Sequence, residues 1–259
     1  MTTAYPSSVR FGIIVIGDEI LSGKRVDKHL PKTVELLAER GLELSWARYA
    51  GDDPAVLTRQ FQETMATGDV VVSFGGIGGT PDDRTRQCAA AAAGVDIQLH
   101  PEGWQILVDR FGGEAAQPRR AMVEFPEGAR LIPNPVNRIP GFSLGQHHFV
   151  PGFPNMAWPM VAWVLDEVYG GLHQRGGVTE AALLVRGVRE SDITPLLEQF
   201  TGEHPEVRLS CLPRWCPPEF ELELGFRGAP EQVQAACGRM RAELDARGWV
   251  HETAGAGGA

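Results

Sequence analysis

Several things are scarce in this 259-residue chain, and each scarcity closes off a class of function. Four cysteines (Cys88, Cys211, Cys216 and Cys237) are too few for a disulfide framework in a chain of this size. Cys211 and Cys216 alone lie close together, as C-x4-C, and no second pair completes a zinc site. Idle thiols in a reducing compartment are expected, which places the protein in the cytoplasm. Basic clusters are missing and the formal net charge is −9, so a nucleic-acid partner is not expected. Long apolar runs are missing near the start. "FGIIVI" (11–16) is too short for a signal-peptide core or a membrane span, so no membrane association is expected. The seven histidines are scattered; His147 and His148 are neighbours, but in a strand they face opposite sides and would not share a metal.

What is present is a regular alternation. β-branched runs at 11–16, 42–49 and 69–74 read as strands, with a fourth candidate at "VDIQLH". Helix-period segments at 27–40, 54–67 and 82–93 separate them, with Gly41 and Gly94 as stops and Pro54 at a first helical turn. A further helix is expected from Pro101. Strands and helices at this spacing form βαβ units, hence an α/β fold with a mostly parallel sheet covered by helices on both faces. From 114 to 160 the sequence becomes dense in proline and reads as turns and short strands, with a hairpin at "GFSLGQHHFV" turning at Gly145. Asn155 is placed as the cap of a helix running to about Tyr169.

Residues 171–177, glycine-rich, read as a linker between a domain at 11–170 and a second at 178–251. The second region has the order β-α-β-β-α-β, the split-βαβ pattern of a small ferredoxin-like α+β domain. Residues 1–10 are expected to be a flexible N-terminus and 252–259 a disordered tail.

"SFGGIGGTPDDRTRQ" (73–87) carries the main chemical signal. Glycines between a strand and a helix offer free backbone N–H groups to an anion. The loop is neither a P-loop, which needs Gly-Lys-Ser/Thr, nor a dinucleotide fingerprint, which would need glycine at 81. Thr80, Pro81 and Asp83 also fit a capping box, which accounts for one aspartate but not for two, nor for four glycines. "GDE" (17–19) and "GDD" (51–53) follow the carboxyl ends of two other strands, where open parallel sheets bind ligands. Asp18, Glu19, Asp52, Asp53, Asp82 and Asp83 would together repel a phosphate unless a hard divalent cation, Mg²⁺ or a relative, bridges them. Lys24, Arg25, Arg84 and Arg86 lie near enough in sequence to help.

"IGDEILSG", "GDD", "GGIGGTPDDRT" and "PEGARLIPNP…PGF…VPGFPNM" follow the order of the MoaB/Mog molybdopterin-binding superfamily. Over 11–169 the chain most resembles the N-terminal region of the competence-damage-inducible (CinA) branch. That resemblance implies a three-layer α/β fold, a molybdopterin or nucleotide ligand held through its phosphates, and assembly as a dimer or trimer. It implies metal-linked, catalytic roles for Asp52 and Asp83, with Asp82 as a further metal ligand. The expected ligand-binding set is Gly75, Gly76, Gly78, Gly79 and Thr80 from the glycine loop. Gly17, Asp18, Glu19 and Ser22 join it from the first loop, and Asn134 and Arg138 from the proline-dense stretch. In the CinA branch the domain is associated with metal-dependent hydrolysis of the pyrophosphate in ADP-ribose, and a related domain with FAD hydrolysis. A molybdopterin-binding protein of cofactor biosynthesis and a non-catalytic nucleotide sensor are the alternatives. The chain departs from the branch's pattern at Gly79, where a proline is usual, in "NPVNRIPG", and at Asn155.

Overall fold

The structure is a computed structural model that describes residues 9–173, 179–217 and 219–254. The flexible-terminus assignment for 1–8 and most of the 171–177 linker therefore lie outside the described residues. The chain divides into two compact units, 1–39 with 43–173, and 40–42 with 174–259.

The first unit is built on β1 (Phe11–Ile16), β2 (Leu44–Ala50) and β3 (Val70–Phe74), with β4 (Ile97–Leu99), β5 (Glu124–Pro126), β6 (Arg130–Ile132), β7 (Gly141–Leu144) and β8 (His147–Val150) following. Its helices are α1 (Asp18–Leu21), α2 (His29–Ala38), α3 (Pro54–Thr67), α4 (Thr85–Ala93), α5 (Pro101–Phe111), α6 (Gly113–Ala116) and α7 (Pro154–Glu167). One sheet has the order β2-β1-β3-β8-β7-β6. Its first four strands are parallel, and the hairpin adds β7 and β6 antiparallel at one edge. β1, β3 and β8 are buried along their whole length, as central parallel strands must be, whereas edge strand β2 alternates.

Two apolar layers cover this sheet. On one face Ile14, Ile16 and Val71 pack with Leu57 and Phe61 of α3 and Cys88 and Ala89 of α4. Phe125, Phe142 and Phe149 stack through the same core, at centroid spacings of 4.9 and 4.5 Å. On the other face His29 of α2 stacks on Phe74 at 4.3 Å, and Phe11 meets Tyr169 edge-on. The neighbouring histidines of β8 separate as strand alternation requires. His147 Nε2 bonds Thr64 on α3, while His148 bonds Ser143 through Nδ1 and Tyr169 through Nε2.

Four local expectations are corrected. The candidate strand at 95–100 does not enter the main sheet; β4 pairs only with β5, antiparallel. A three-residue strand with Gln98 exposed between half-buried Ile97 and Leu99 suits an accessory ribbon, and the fourth parallel position goes to the fully buried β8. The helix expected after Gly79 begins at Thr85, so Pro81 occupies a turn. Asn155 does not cap α7: Pro154 takes the first turn and Phe153 precedes it, because proline's fixed φ favours that position. Glu252 and Thr253, assigned to the tail, pair with the second unit's first strand.

The second unit comprises β9 (Thr179–Arg186), α8 (Glu190–Glu203), β10 (Arg208–Cys216), β11 (Glu219–Gly228), α9 (Pro230–Ala246) and β12 (His251–Thr253). Its sheet, β10-β11-β9-β12, is antiparallel throughout. Leu183, Val185, Phe200, Leu224, Phe226 and Met240 form its core. This is the ferredoxin-like arrangement.

Burial lowers the pKa of His147 to about 4 and that of His148 to about 3. Both are therefore neutral in the fold and free to protonate in the unfolded chain. The sign follows: stability is full above the ordinary value of 6.5 and falls as pH drops below it. Each histidine is expected to cost about 2 kcal/mol at pH 5. Thermal melts at pH 7 and pH 5 test this, and His147→Gln should narrow the difference.

Candidate active site at the sheet edge

The carboxyl ends of β1, β2, β3 and β8 meet at one edge. Gly17 N–H donates to the Ala50 carbonyl and Gly75 N–H to the Val150 carbonyl, both at 3.0 Å, so the ladders run on into the loops. Beyond them lies a pocket of about 480 Å³. Gly17 and Glu19 line it from the β1 end, and Asp52 from the β2 end. The glycine loop contributes Gly75, Gly76, Gly78, Gly79, Thr80, Asp82 and Asp83.

Glycine is required twice in that loop. Gly75 has φ +102°, and an added Cβ would stand 2.6 Å from the Ile16 carbonyl oxygen. Gly76 has φ +68°, and its added Cβ would collide with Thr85 Oγ1. Thr85 fixes the turn by donating its N–H to the Gly76 carbonyl and its hydroxyl to the Gly75 carbonyl, each at 3.0 Å. Arg86, almost wholly buried, donates to the Gly78 carbonyl at 2.6 Å, and its Nε has no partner. These bonds pull the loop's carbonyls inward. The N–H groups of Gly76, Gly78 and Gly79 have no partner among the described residues.

The anion cradle is thus shorter than the sequence implies. The N–H of Gly75 is committed to β8, and that of Thr80 to Asp83 Oδ2 at 3.0 Å. The same carboxylate oxygen accepts from the Thr80 hydroxyl at 2.5 Å. Asp83 therefore completes half of a capping box, on a turn that no α-helix continues.

Across the pocket, Asp52 and Asp18 clasp reciprocally. Asp18 N–H donates to Asp52 Oδ2 at 3.0 Å, and Asp52 N–H to Asp18 Oδ1 at 3.2 Å. Asp18 thereby supports Asp52 and does not itself line the pocket. Burial raises the pKa of Asp52, and the charges of Asp18, Glu19 and Asp82 raise it further, against the bond from Asp18 N–H.

Other expected residues lie elsewhere. Asp53 caps α3, accepting from the N–H groups of Ala55 and Val56 at 2.9 Å. Ser22 donates to the Glu19 carbonyl within its own turn. Asn134 and Arg138 line a separate cavity, because the loop that carries them turns their side chains away from the glycine loop. Of the four basic residues, Arg25 alone lines the pocket; Arg84 donates to the Pro81 carbonyl. No group of three or more His, Cys, Asp or Glu suited to a metal occurs among the described residues, so Asp52, Asp82 and Asp83 are not a ready-made metal site. Residues that sequence reasoning missed are Met122, Asn137, Ile139, Gly152, Phe153 and Met156, of which Met122, Ile139, Phe153 and Met156 give the pocket apolar lining. The motif "VPGFPNM" after β8 was the available signal for the last three.

Residues 12–169 match the family model described as "probable molybdopterin binding domain". The chain belongs to this molybdopterin-binding-domain family. Among relatives of this member, a "CinA-like protein" of Citrifermentans bemidjiense is 32% identical over 249 residues, covering 92% of this chain and 59% of its own length. The chain thus spans about three fifths of that relative. A protein of Pyrobaculum arsenaticum is 30% identical, covering 93% of this chain and 91% of its own. Among solved structures, the molybdopterin-binding-domain unit is similar to CinA of unknown function from Thermoplasma acidophilum, with 25% identity and a TM-score of 0.56 over 61% of this chain and 98% of that one. No helix among the described residues is long and apolar enough to cross a membrane.

Removing the Asp52 charge should relieve repulsion while an amide oxygen still accepts from Asp18. Asp52→Asn is expected to raise Tm by about 1–2 °C at pH 7, a gain that shrinks as pH falls and the carboxyl takes up its proton. A calorimetric pH series checks the sign.

Proposed function

We propose that the sheet-edge pocket binds a phosphate-bearing nucleotide or pterin and that the chain is a divalent-metal-dependent pyrophosphatase acting on compounds of the ADP-ribose or FAD kind. One observation carries the reading: unpartnered glycine N–H groups, the Asp83 carboxylate beside them and the Asp52 carboxylate from the β2 end all line one pocket. An anion cradle facing acids suits a ligand that arrives with a cation.

The acids fit such an ion. Mg²⁺ takes one or two protein carboxylates and completes its shell with waters and phosphate oxygens, so a three-acid cluster is not needed. Asp83 and Asp52 would hold it, with Asp82 at the rim, and when bound it would polarise a phosphoryl oxygen. The chain's own residues do the rest. Gly76, Gly78 and Gly79 N–H groups receive the charge that grows on a phosphoryl oxygen in the transition state. Arg86 and Thr85 hold those donors in place from beneath, so they need not reorganise during reaction. Asp52, at the β2 end of the pocket, can accept a hydrogen bond from an attacking water and so orient it. Met122, Ile139, Phe153 and Met156 give the non-phosphate part of the ligand an apolar wall. Assembly as a dimer or trimer belongs to the same proposal, and sedimentation of the full chain decides it.

Turnover is tested with Mg²⁺, Mn²⁺ or Co²⁺ and ADP-ribose, FAD, coenzyme A or NAD. Asp83→Asn is the informative variant, because the amide oxygen keeps the turn at Thr80 while the charge is lost. A fall in kcat of about 100-fold or more is expected, with Tm nearly unchanged. No turnover by the unaltered chain, with a pterin retained through purification, would replace this reading by a role in molybdenum cofactor biosynthesis. Nucleotide binding without turnover would make the protein a sensor.

A further inference from the structure

One buried histidine joins two segments that line the sheet-edge pocket. His29, 5% exposed, is the first residue of α2 and does not itself line that pocket. Its ring stacks on Phe74, the residue before Gly75, with centroids 4.3 Å apart and planes 22° apart. Its Nε2 lies 3.2 Å from the carbonyl oxygen of Gly152, the residue before Phe153. The glycine loop and the apolar lining after β8 thus each begin one residue from the same imidazole.

The ring's proton follows from its partner. A carbonyl only accepts, so Nε2 carries the proton and donates it. Nδ1 then keeps a lone pair, buried without a partner. Burial also lowers the pKa of His29, against the Gly152 bond and the charge of Asp27, so the ring is neutral at pH 7. The backbone beneath the ring is fixed as well. Asp27 accepts from the N–H groups of His29 and Leu30, at 2.7 and 3.1 Å, and so caps the start of α2. The same carboxylate accepts from the Tyr49 hydroxyl at 2.8 Å, which ties that start to β2. On the other side, Gly75 N–H holds the Val150 carbonyl, and the Phe153 carbonyl accepts from Met156 and Ala157 N–H at the start of α7. Between those two points His29 anchors Gly152. A Cβ built on Gly152 would stand 3.5 Å from Gly75 Cα, so the two backbones are within van der Waals reach.

We propose that His29 is a positioning residue for this pocket: it sets the spacing between the glycine loop and the lining at Phe153 and Met156, and so makes the pocket prefer a diphosphate that carries an organic group over a bare one. This rests on the function proposed above. The N–H groups of Gly76, Gly78 and Gly79 meet phosphate whatever is attached to it. Phe153 and Met156 contribute only when an apolar group is attached, and only when they are held at the right distance. Without the Nε2 donor, the carbonyl of exposed Gly152 turns to water and that lining is released.

The test uses the full chain with excess Mg²⁺ and two probes that resist hydrolysis, α,β-methylene ADP-ribose and methylenediphosphonate, its bare two-phosphate part. His29→Phe keeps a ring on Phe74 but has no donor. Calorimetry is expected to show it binding the nucleotide about tenfold more weakly, and the diphosphonate within about twofold of the unaltered chain. His29→Gln, whose amide nitrogen reaches the place of Nε2, is expected to restore nucleotide affinity to within about threefold. A merely architectural histidine would weaken both probes together. ¹⁵N NMR of the unaltered chain needs neither ligand nor variant, and is expected to show the His29 ring protonated at Nε2 and bare at Nδ1. The opposite tautomer, a parallel loss of both probes in His29→Phe, or no recovery in His29→Gln would each overturn the proposal. Should the unaltered chain bind neither probe, this proposal and the hydrolase reading fall together. Should it bind the nucleotide and His29→Phe bind it equally well, this proposal falls alone.

Discussion

Two hydrogen bonds at the end of the parallel sheet set the geometry on which the site depends. By bonding Gly75 N–H to Val150 and Gly17 N–H to Ala50, the chain fixes where each loop leaves its strand. From there the glycine loop has one way to turn, because Gly75 lies against the Ile16 carbonyl and Gly76 against Thr85. The carbonyls of Gly75, Gly76 and Gly78 are taken up by Thr85 and Arg86, and the N–H groups of Gly76, Gly78 and Gly79 are left without a partner among the described residues. The acid side is fixed in the same way, by the clasp between the residues that follow β1 and β2. Pocket shape is thus a product of backbone pairing, with side chains refining it.

Charge gives the pocket its character. The protein is acidic overall, and the rim concentrates that acidity at Glu19, Asp52, Asp82 and Asp83. Arg86 is the buried counterweight: desolvation lowers its pKa, while Asp83 and Glu124 act in the opposite sense. Buried and bonded to Gly78, it offsets the acids without lining the pocket. The sequence offers it as one of four basic residues near enough to help, and its depth is not legible there.

Much of the fold could be read from the residues, because parallel strands announce themselves as unbroken apolar runs and glycine or proline marks their ends. The edge that gathers Asp52 and Asp83 followed from that reading, since every βα loop in such a sheet leaves on the same side. What failed were local choices between equal signals. Thr80 to Asp83 carries a capping box in sequence, but the three-dimensional turn postpones the helix to Thr85. Arg138 was read onto a phosphate because it follows a familiar motif. Its left-handed backbone, which no residue type there advertises, turns it into the neighbouring cavity.

The insertion of β8 beside β3 gives the order of synthesis a consequence for the site. The glycine loop and both acidic loops emerge from the ribosome well before residues 147–150, so for that interval β3 has a bare hydrophobic edge and Gly75 has no acceptor. Such an edge invites pairing with other chains. Arrival of the β7–β8 hairpin seals it and in the same step supplies Pro151, Gly152 and Phe153 as the pocket's far wall. The nascent chain therefore closes that edge and completes the lining of the sheet-edge pocket in a single event.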